Sequence, residues 1–168
     1  KNKVKIGEND SYLCELIRND SINAFIEYIN KTNIKLSSKI EPSVFETNYF
    51  LIENNPTLIE YAAFFGSFQI FKFLILNDIE LTSSLWLYAI HGKSPEIIHL
   101  LEEYNVEPED KTYEKCLKEA IKCHHNDIAN YIINNLLDQN VEYNFKENLF
   151  AYCFHYYNFE LLPDELDN

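Results

Sequence analysis

Residues 57–75, TLIEYAAFFGSFQIFKFLI, decide the fold of this chain. The stretch is apolar almost throughout, but it breaks at Gly66 and is too short on either side of that glycine to cross a membrane. Thr57 and Glu60 have the spacing of a capping box, which is typical of a helix start. The stretch therefore predicts a buried helical hairpin, with Phe64 and Phe65 next to its corner.

The same arrangement of a small residue, a short polar or Gly break and an amphipathic run recurs along the chain. It is found in LWLYAIHGKSPEIIHLLEEYN and CLKEAIKCHHNDIANYIINNL, and more loosely in LFAYCFHYYNFELLP. The aligned small residues are Ala62, Ala89, Ala120 and Cys153, which lie 27, 31 and 33 residues apart. A small side chain lets the second helix of a hairpin approach closely, and a lone hairpin cannot cover both of its faces. Stability therefore requires about three or more stacked units.

Helix-start signals precede most of the apolar runs. Asn144 and Glu147 repeat the capping-box spacing, Pro95 follows Ser94, and a Ser43-x-x-Glu46 pattern follows Pro42. Further starts are predicted at Ser11, Asp20 or Ser21, Ser67, Ser83 or Ser84, Asp110 to Thr112, and Asn126. No stretch alternates long enough to predict a strand. The sequence therefore predicts an all-α fold.

The composition excludes several classes of protein. With 46% hydrophobic residues and only 3 Gly and 5 Pro, the 168 residues predict one folded, helical domain. A net charge of −13 disfavours nucleic acid as a partner, because it repels phosphates. No apolar run reaches the roughly 18 residues of a membrane span, and KNKVKIGEND lacks the apolar segment of a signal peptide. We therefore expect an intracellular, cytoplasmic protein without membrane insertion, and four reduced cysteines. The absence of Met, even at position 1, indicates a fragment or a processed end.

The 57–75 stretch resembles an ankyrin repeat. Its family pattern, Thr-Pro-Leu-His-x-Ala-Ala-x-x-Gly-His-x-Glu-Ile-Val-x-x-Leu-Leu, is matched in register by Thr57, Ala62, Ala63, Gly66, Ile70 and Leu74. Together with the later units and LCELIRNDSINAFIEYI near the amino terminus, most of the chain is similar to a divergent ankyrin subfamily of unknown function that is expanded in protist parasites. The resemblance implies a solenoid of stacked hairpins, each formed by a β-turn and two antiparallel helices.

The chain also departs from the ankyrin pattern. No unit keeps the Thr-Pro-Leu-His tetrapeptide, and Asn77-Asp78 and Asn105 replace glycines at helix exits. The 27-residue spacing leaves little chain for a β-finger, so we expect degenerate or absent β-fingers. The predicted domain covers residues 1–168, with an amino-terminal helical cap and irregular connection at 8–56, units at 57–81, 82–110 and 111–143, and a carboxy-terminal unit or cap at 144–168. The irregular connection is predicted to hold one short helix that begins near Ser43.

One group of residues suggests metal chemistry. Cys123, His124, His125 and Asp127 are nearly contiguous, and Cys116 lies seven residues earlier. Zinc needs about four converging ligands, and no second CxxC or HxxxH pair supplies them. The chain also lacks a Gly-x-Ser-x-Gly elbow and a Gly-rich phosphate loop. The sequence therefore predicts no enzyme, no metal and no cofactor; an enzyme using His124 or His155 with a metal would need a deep polar pocket.

The ankyrin resemblance also implies a binding surface. In that family, the two positions before the inter-helix glycine lie on the concave side at the end of helix one and commonly contact partners. By register, the implied partner-binding residues are Phe64, Phe65, His91, Lys122, His155 and Tyr156, with Tyr61, Tyr88, Glu119 and Tyr152 one turn earlier.

These positions predict a non-catalytic protein-interaction module, and the acidic chain favours a basic partner segment. One alternative is a scaffold that self-assembles through the same aromatic surface. Another is that Phe64 and Tyr61 only fill space between adjacent first helices, since large apolar residues are usually core. Trp86 is predicted to be core in the same way.

Overall fold

The computed structural model describes residues 7–137 and 142–162, and for residues 142–147 it describes the backbone only. These residues form an all-α fold without β-strands, in which only the isolated bridges Gly7–Glu46 and Lys39–Thr57 pair extended chain. The helices are α1 (Tyr12–Arg18), α2 (Ile22–Thr32), α3 (Tyr49–Asn54), α4 (Leu58–Phe64), α5 (Phe68–Leu76), α6 (Leu85–Gly92), α7 (Pro95–Glu103), α8 (Glu114–Lys122), α9 (Asn126–Asn135) and α10 (Glu142–His155), followed by a 3-10 turn at Phe159–Leu161.

The helices pack as successive hairpins. α1 pairs with α2, α4 with α5, α6 with α7, and α8 with α9, while α10 packs against the 3-10 turn. The first helices follow one another in space, because α1 contacts α4, α4 contacts α6, α6 contacts α8, and α8 contacts α10. On the second layer, α2 contacts α5 and α5 contacts α7. This order places the ends of four first helices, from α4 to α10, next to each other.

The aligned small residues lie where the sequence predicts them. Ala62, Ala89, Ala120 and Cys153 are all fully buried. Four residues after each of them the backbone is left-handed, with φ of 65° at Gly66, 49° at Lys93, 56° at His124 and 56° at Tyr157. Asp20, at the α1–α2 corner, has φ of 47° and the same offset from Leu16. The repeat register is therefore confirmed at the corners, and the α1–α2 hairpin shares it.

Side chains at the corners also join neighbouring hairpins. At three of the corners, the residue after the left-handed position donates a hydrogen bond to a backbone carbonyl in the first helix of the preceding hairpin. The pairs are Ser67 Oγ to Ile17 O, His125 Nδ1 to Ile90 O at 2.8 Å, and Asn158 Nδ2 to Ile121 O at 3.0 Å. These bonds satisfy polar atoms at buried or half-buried positions, so they fix how one hairpin sits on the next.

Most of the predicted helix starts are confirmed. Four helices follow directly after a predicted serine, at Ser11, Ser21, Ser67 and Ser84, and α9 begins at Asn126. Thr57 and Glu60 form a complete capping box, with Glu60 Oε2 accepting from Thr57 N at 2.8 Å. Ser94 caps α7, and Pro95 occupies its first turn. Left-handed helix exits are likewise found at Asp78 and Asn105, as predicted from their side chains.

Two other predicted starts are wrong. No helix begins near Ser43, because its hydroxyl accepts from Phe45 N at 3.1 Å in a local turn and donates to Asp10 at 2.7 Å. The helix of this segment is α3, which begins six residues later with Asn48 as its N-cap. Asn144 does not start a helix either, because α10 already begins at Glu142.

The core is continuous along the row of hairpins. Trp86 is 1% exposed, and its Nε1 donates to Val106 O at 2.6 Å, so the prediction that it is a core residue is confirmed. All four cysteines are free thiols. In the part of the chain that the structure describes, no helix has both the length and the apolar character that a bilayer span requires.

Candidate partner-binding surface

The ends of the first helices bring most of the implied binding residues together. Phe64 and Phe65 end α4, His91 lies in the last turn of α6, Lys122 ends α8, and His155 ends α10. Because these helices are neighbours in the order α4, α6, α8 and α10, the residues form one strip across the row. We call it the helix-one strip, defined by Phe64, Phe65, His91, Glu119, Lys122, Tyr152, His155 and Tyr156. Within it, Lys122 and His155 are exposed and the others are half-buried.

Tyr61 and Tyr88 do not belong to this surface. They are only 1% and 3% exposed, so neither ring is available to a partner in this arrangement. The hydroxyl of Tyr61 accepts a hydrogen bond from Arg18 Nη1 at 2.9 Å, which satisfies it in the interior. Burial raises the pKa of both phenols, and the nearby Cys14 and Glu60, respectively, add to the shift. The alternative that Tyr61 only fills space is therefore correct, and Tyr88, predicted as a binding residue, is a core residue as well.

Helix α3 covers part of the strip, which the sequence did not predict. The ring of Phe50 stacks on Phe64 at a centroid distance of 6.0 Å and lies 4.3 Å from the ring of His91. It also meets Tyr88 edge-on at 4.9 Å. In the sequence, this contact is signalled only by the apolar side chains of α3, YFLIEN. The rings that Phe50 touches lie 14 to 41 positions further along the chain. The connection at 30–56 therefore contributes an aromatic side chain to the helix-one strip.

A polar cluster lies between α6 and α8 in the middle of the strip. His91 Nε2 is 2.9 Å from Glu119 Oε1, and His91 Nδ1 is 3.6 Å from Cys123 Sγ. Lys122 Nζ also donates to Glu119 Oε1, at 2.8 Å. In the neutral ring, Nε2–H donates to the carboxylate, which leaves Nδ1 to accept from the thiol.

The two charged members of this cluster stabilise each other. Burial opposes ionisation of Glu119, but hydrogen bonds from His91 and Lys122 outweigh it, and the pKa of the carboxyl is lowered. The hydrogen bond to Glu119 raises the pKa of Lys122. Burial, with a smaller contribution from Glu119, raises the pKa of Cys123 to about 11. The cluster therefore holds an ionised carboxylate, a cation and a neutral thiol near neutral pH.

The carboxy-terminal part of the strip is built around Glu114. Tyr152 donates to Glu114 Oε1 at 2.9 Å, Asn148 donates to the same atom at 2.8 Å, and Lys118 Nζ lies 5.6 Å from the centre of the Tyr152 ring. Desolvation and the hydrogen bond to Glu114 raise the pKa of Tyr152 to about 12. Tyr152 is thus a neutral, fixed donor.

The contiguous group that suggested metal chemistry does not converge. His124 is exposed at the left-handed corner, and His125 bonds to Ile90 O. Asp127 pairs with Lys93 at 3.6 Å, while Cys116 is 1% exposed, with a pKa raised by burial to about 12. Among the residues that the structure describes, Cys123 is the one member of this group that joins a cluster of possible ligands, together with His91 and Glu119 from outside the group.

By its fold, the protein belongs to the class built from a row of stacked helical hairpins. A strip of aromatic and charged residues follows the ends of its first helices. The chain belongs to the family described as "Domain of unknown function (DUF3447)", whose model matches residues 76–163, slightly more than half of its length. The matched region runs from the end of α5 through the 3-10 turn. No curated protein and no solved structure matches the chain.

Proposed function

We propose that this protein is a non-catalytic, ankyrin-type protein-binding module that engages its partner through the helix-one strip. The observation that supports this most is the side-by-side order of α4, α6, α8 and α10, which turns residues 27 to 33 positions apart into one surface. The left-handed corner repeated in every hairpin supports the ankyrin-type architecture.

The chemistry of the strip suits a peptide segment with basic and apolar residues. Phe64 and Phe65 form a first aromatic pair, with half-buried rings. His155 and Tyr156 form a second pair, in which the two ring centres are 4.6 Å apart. Aromatic residues are enriched at the energetic centres of interfaces. The net charge of −13 attracts a Lys- or Arg-flanked segment over a distance of about one Debye length, so binding should weaken with salt.

The test compares two double variants in capture of partners from the source cell, followed by binding measurements with the purified partner. The strip variant carries His155→Ala and Tyr156→Ala. The control carries His99→Ala and Tyr104→Ala, which make the same chemical changes on exposed residues of the second-helix layer or its end. Circular dichroism checks that both variants keep the helical content of the parent chain.

We expect the parent chain and the control variant to retain the same partner and the strip variant to lose it. The expected loss in affinity is at least tenfold, which corresponds to about 1.4 kcal/mol. Undiminished capture by the strip variant, or equal loss in the control, would show that the partner uses another surface.

A specific observation also favours self-assembly as a second candidate function. The residue after each aligned position is fully buried in the preceding hairpins, at Ile17, Ala63, Ile90 and Ile121, yet its equivalent Phe154 in the last hairpin is 59% exposed. Tyr157 and Phe159 beside it are 77% and 51% exposed. Contiguous exposed apolar groups commonly mark association sites. Here the candidate contact is the face of the last hairpin instead of the helix-one strip.

Molar mass in solution tests this second function. Association through the last hairpin predicts a mass that rises with concentration and returns to the monomer value in Phe154→Glu. A mass of one chain at every concentration would contradict it. The helix-one strip is unaffected by this substitution, so the two functions can be separated.

A further inference from the structure

We propose that His91, Glu119 and Cys123 form a binding site for a divalent cation of the zinc class. The three ligand atoms lie within 4.8 Å of one another. The set shares only Cys123 with the contiguous group suggested by the sequence. The site does not depend on the proposed partner-binding function.

The local structure explains how three distant residues meet. Glu119 and Cys123 are four positions apart on α8 and its C-cap, so they lie on the same helical face, one turn apart. His91 reaches them from the last turn of α6, the neighbouring first helix. Its ring is held by Phe50 at 4.3 Å and Phe64 at 5.1 Å between ring centres. One ligand is therefore fixed by packing before any ion arrives.

The distance between the sulfur and nitrogen ligands suits a tetrahedral ion. With Zn–S of about 2.3 Å and Zn–N of about 2.0–2.1 Å, tetrahedral geometry separates sulfur and nitrogen by about 3.6 Å. The distance from Cys123 Sγ to His91 Nδ1 is 3.6 Å. Glu119 completes the set when its carboxylate exchanges the hydrogen bond with His91 Nε2 for the ion. A water molecule takes the fourth position, as in other sites with three protein ligands.

The site is half-buried, which limits competition from solvent. Binding replaces the thiol proton of Cys123 by the ion and releases that proton to solvent. His91 and Lys122 both donate a hydrogen bond to Oε1 of Glu119. When the carboxylate binds the ion instead, the Lys122 ammonium must move aside. Because the ion links α6 to α8 only in the folded chain, it should raise the stability of the protein.

The experiment titrates the full chain with cobalt(II) and zinc(II) salts. Cobalt reports a sulfur ligand through thiolate-to-metal absorption, and zinc binding is followed by calorimetry and by the melting temperature. Cys123→Ser and Glu119→Gln remove one ligand each with little change in shape. His124→Ala is the control, because His124 is an exposed histidine adjacent to the site.

We expect one ion per chain, a thiolate band, a higher melting temperature with zinc, and affinity reduced at least tenfold in both ligand variants but unchanged in the control. Absence of binding in the parent chain would overturn the proposal. So would equal affinity in Cys123→Ser, or loss of binding in His124→Ala. Glu119→Gln gives an independent answer if Cys123→Ser does not fold.

Discussion

Substitution of Gly92 by alanine should destabilise the protein, although alanine is the better helix former. Gly92 lies in the last turn of α6, where its backbone meets the corner of the α4–α5 hairpin. A Cβ atom at this position would overlap the carbonyl oxygen of Ala63 and lie 3.0 Å from Gly66 N and 3.2 Å from Phe64 O. All three are backbone atoms, so no side-chain rotation relieves the overlap.

The magnitude follows from two opposed terms. Replacing Gly by Ala in a helix interior normally stabilises by about 1 kcal/mol. Overpacking costs about 1–3 kcal/mol, and the upper end applies because a backbone segment must move. We therefore expect Gly92→Ala to lower the free energy of unfolding by about 2 kcal/mol. For a domain of this size that corresponds to a melting temperature about 4–8 °C lower.

Urea unfolding and thermal melting monitored by circular dichroism measure the effect. As a control for helix propensity alone, Asn130→Gly is compared with Asn130→Ala at an exposed position of α9. There the alanine variant should be the more stable of the two. If Gly92→Ala is as stable as the parent chain or more stable, the close approach of α6 to the α4–α5 corner is not the reason for glycine at this position.

Three further changes test the corners and the core. His124→Gly should raise the free energy of unfolding by up to about 1 kcal/mol. It removes the cost of about 1–2 kcal/mol of a left-handed backbone at a non-glycine residue, and it adds about 0.5–1 kcal/mol of lost glycine entropy. A lower melting temperature would contradict this. His125→Ala should cost about 1–2 kcal/mol in urea unfolding by removing the bond to Ile90 O, and His125→Asn should restore part of it, as Asn158 makes the equivalent bond. Burial raises the pKa of Cys116 from 9.0 to about 12, so the folded chain holds this proton more tightly than the unfolded chain. Its contribution to stability is complete below pH 9.0 and declines as pH rises towards about 12; Cys116→Ala should show a shallower alkaline loss, and an unchanged slope would exclude this cause.

Local signals in the sequence predicted most of the helices, while contacts distant in sequence were not predictable from it. The capping box at Thr57 and the proline after Ser94 act within one turn, so the sequence shows them directly. Ser43 has the same local form, but its hydroxyl is used by a turn and by Asp10, 33 residues away. Phe50 reaches the strip because of the path of the whole connection at 30–56, which no local signal shows.

The binding surface, too, was predictable where local spacing decides and not where contacts distant in sequence decide. The repeat register placed the ends of the first helices correctly in chain order, because the spacing of small residues fixes the corners. It did not distinguish Tyr61 and Tyr88 from their neighbours, because the inward or outward direction of a side chain depends on the helix beside it. The cluster of His91 with Cys123 was not predicted either, since its members are 32 residues apart.

The corners show how the same left-handed turn forms at positions without glycine. A left-handed backbone costs an ordinary residue about 1–2 kcal/mol, yet Lys93, His124 and Tyr157 adopt it where Gly66 does so freely. At the His124 and Tyr157 corners the next residue places its side chain against a carbonyl of the preceding hairpin. At all of them the small residue four positions earlier is buried. The gain from burial and from those hydrogen bonds exceeds the local cost, so packing between hairpins, and not turn preference, determines the corner conformation.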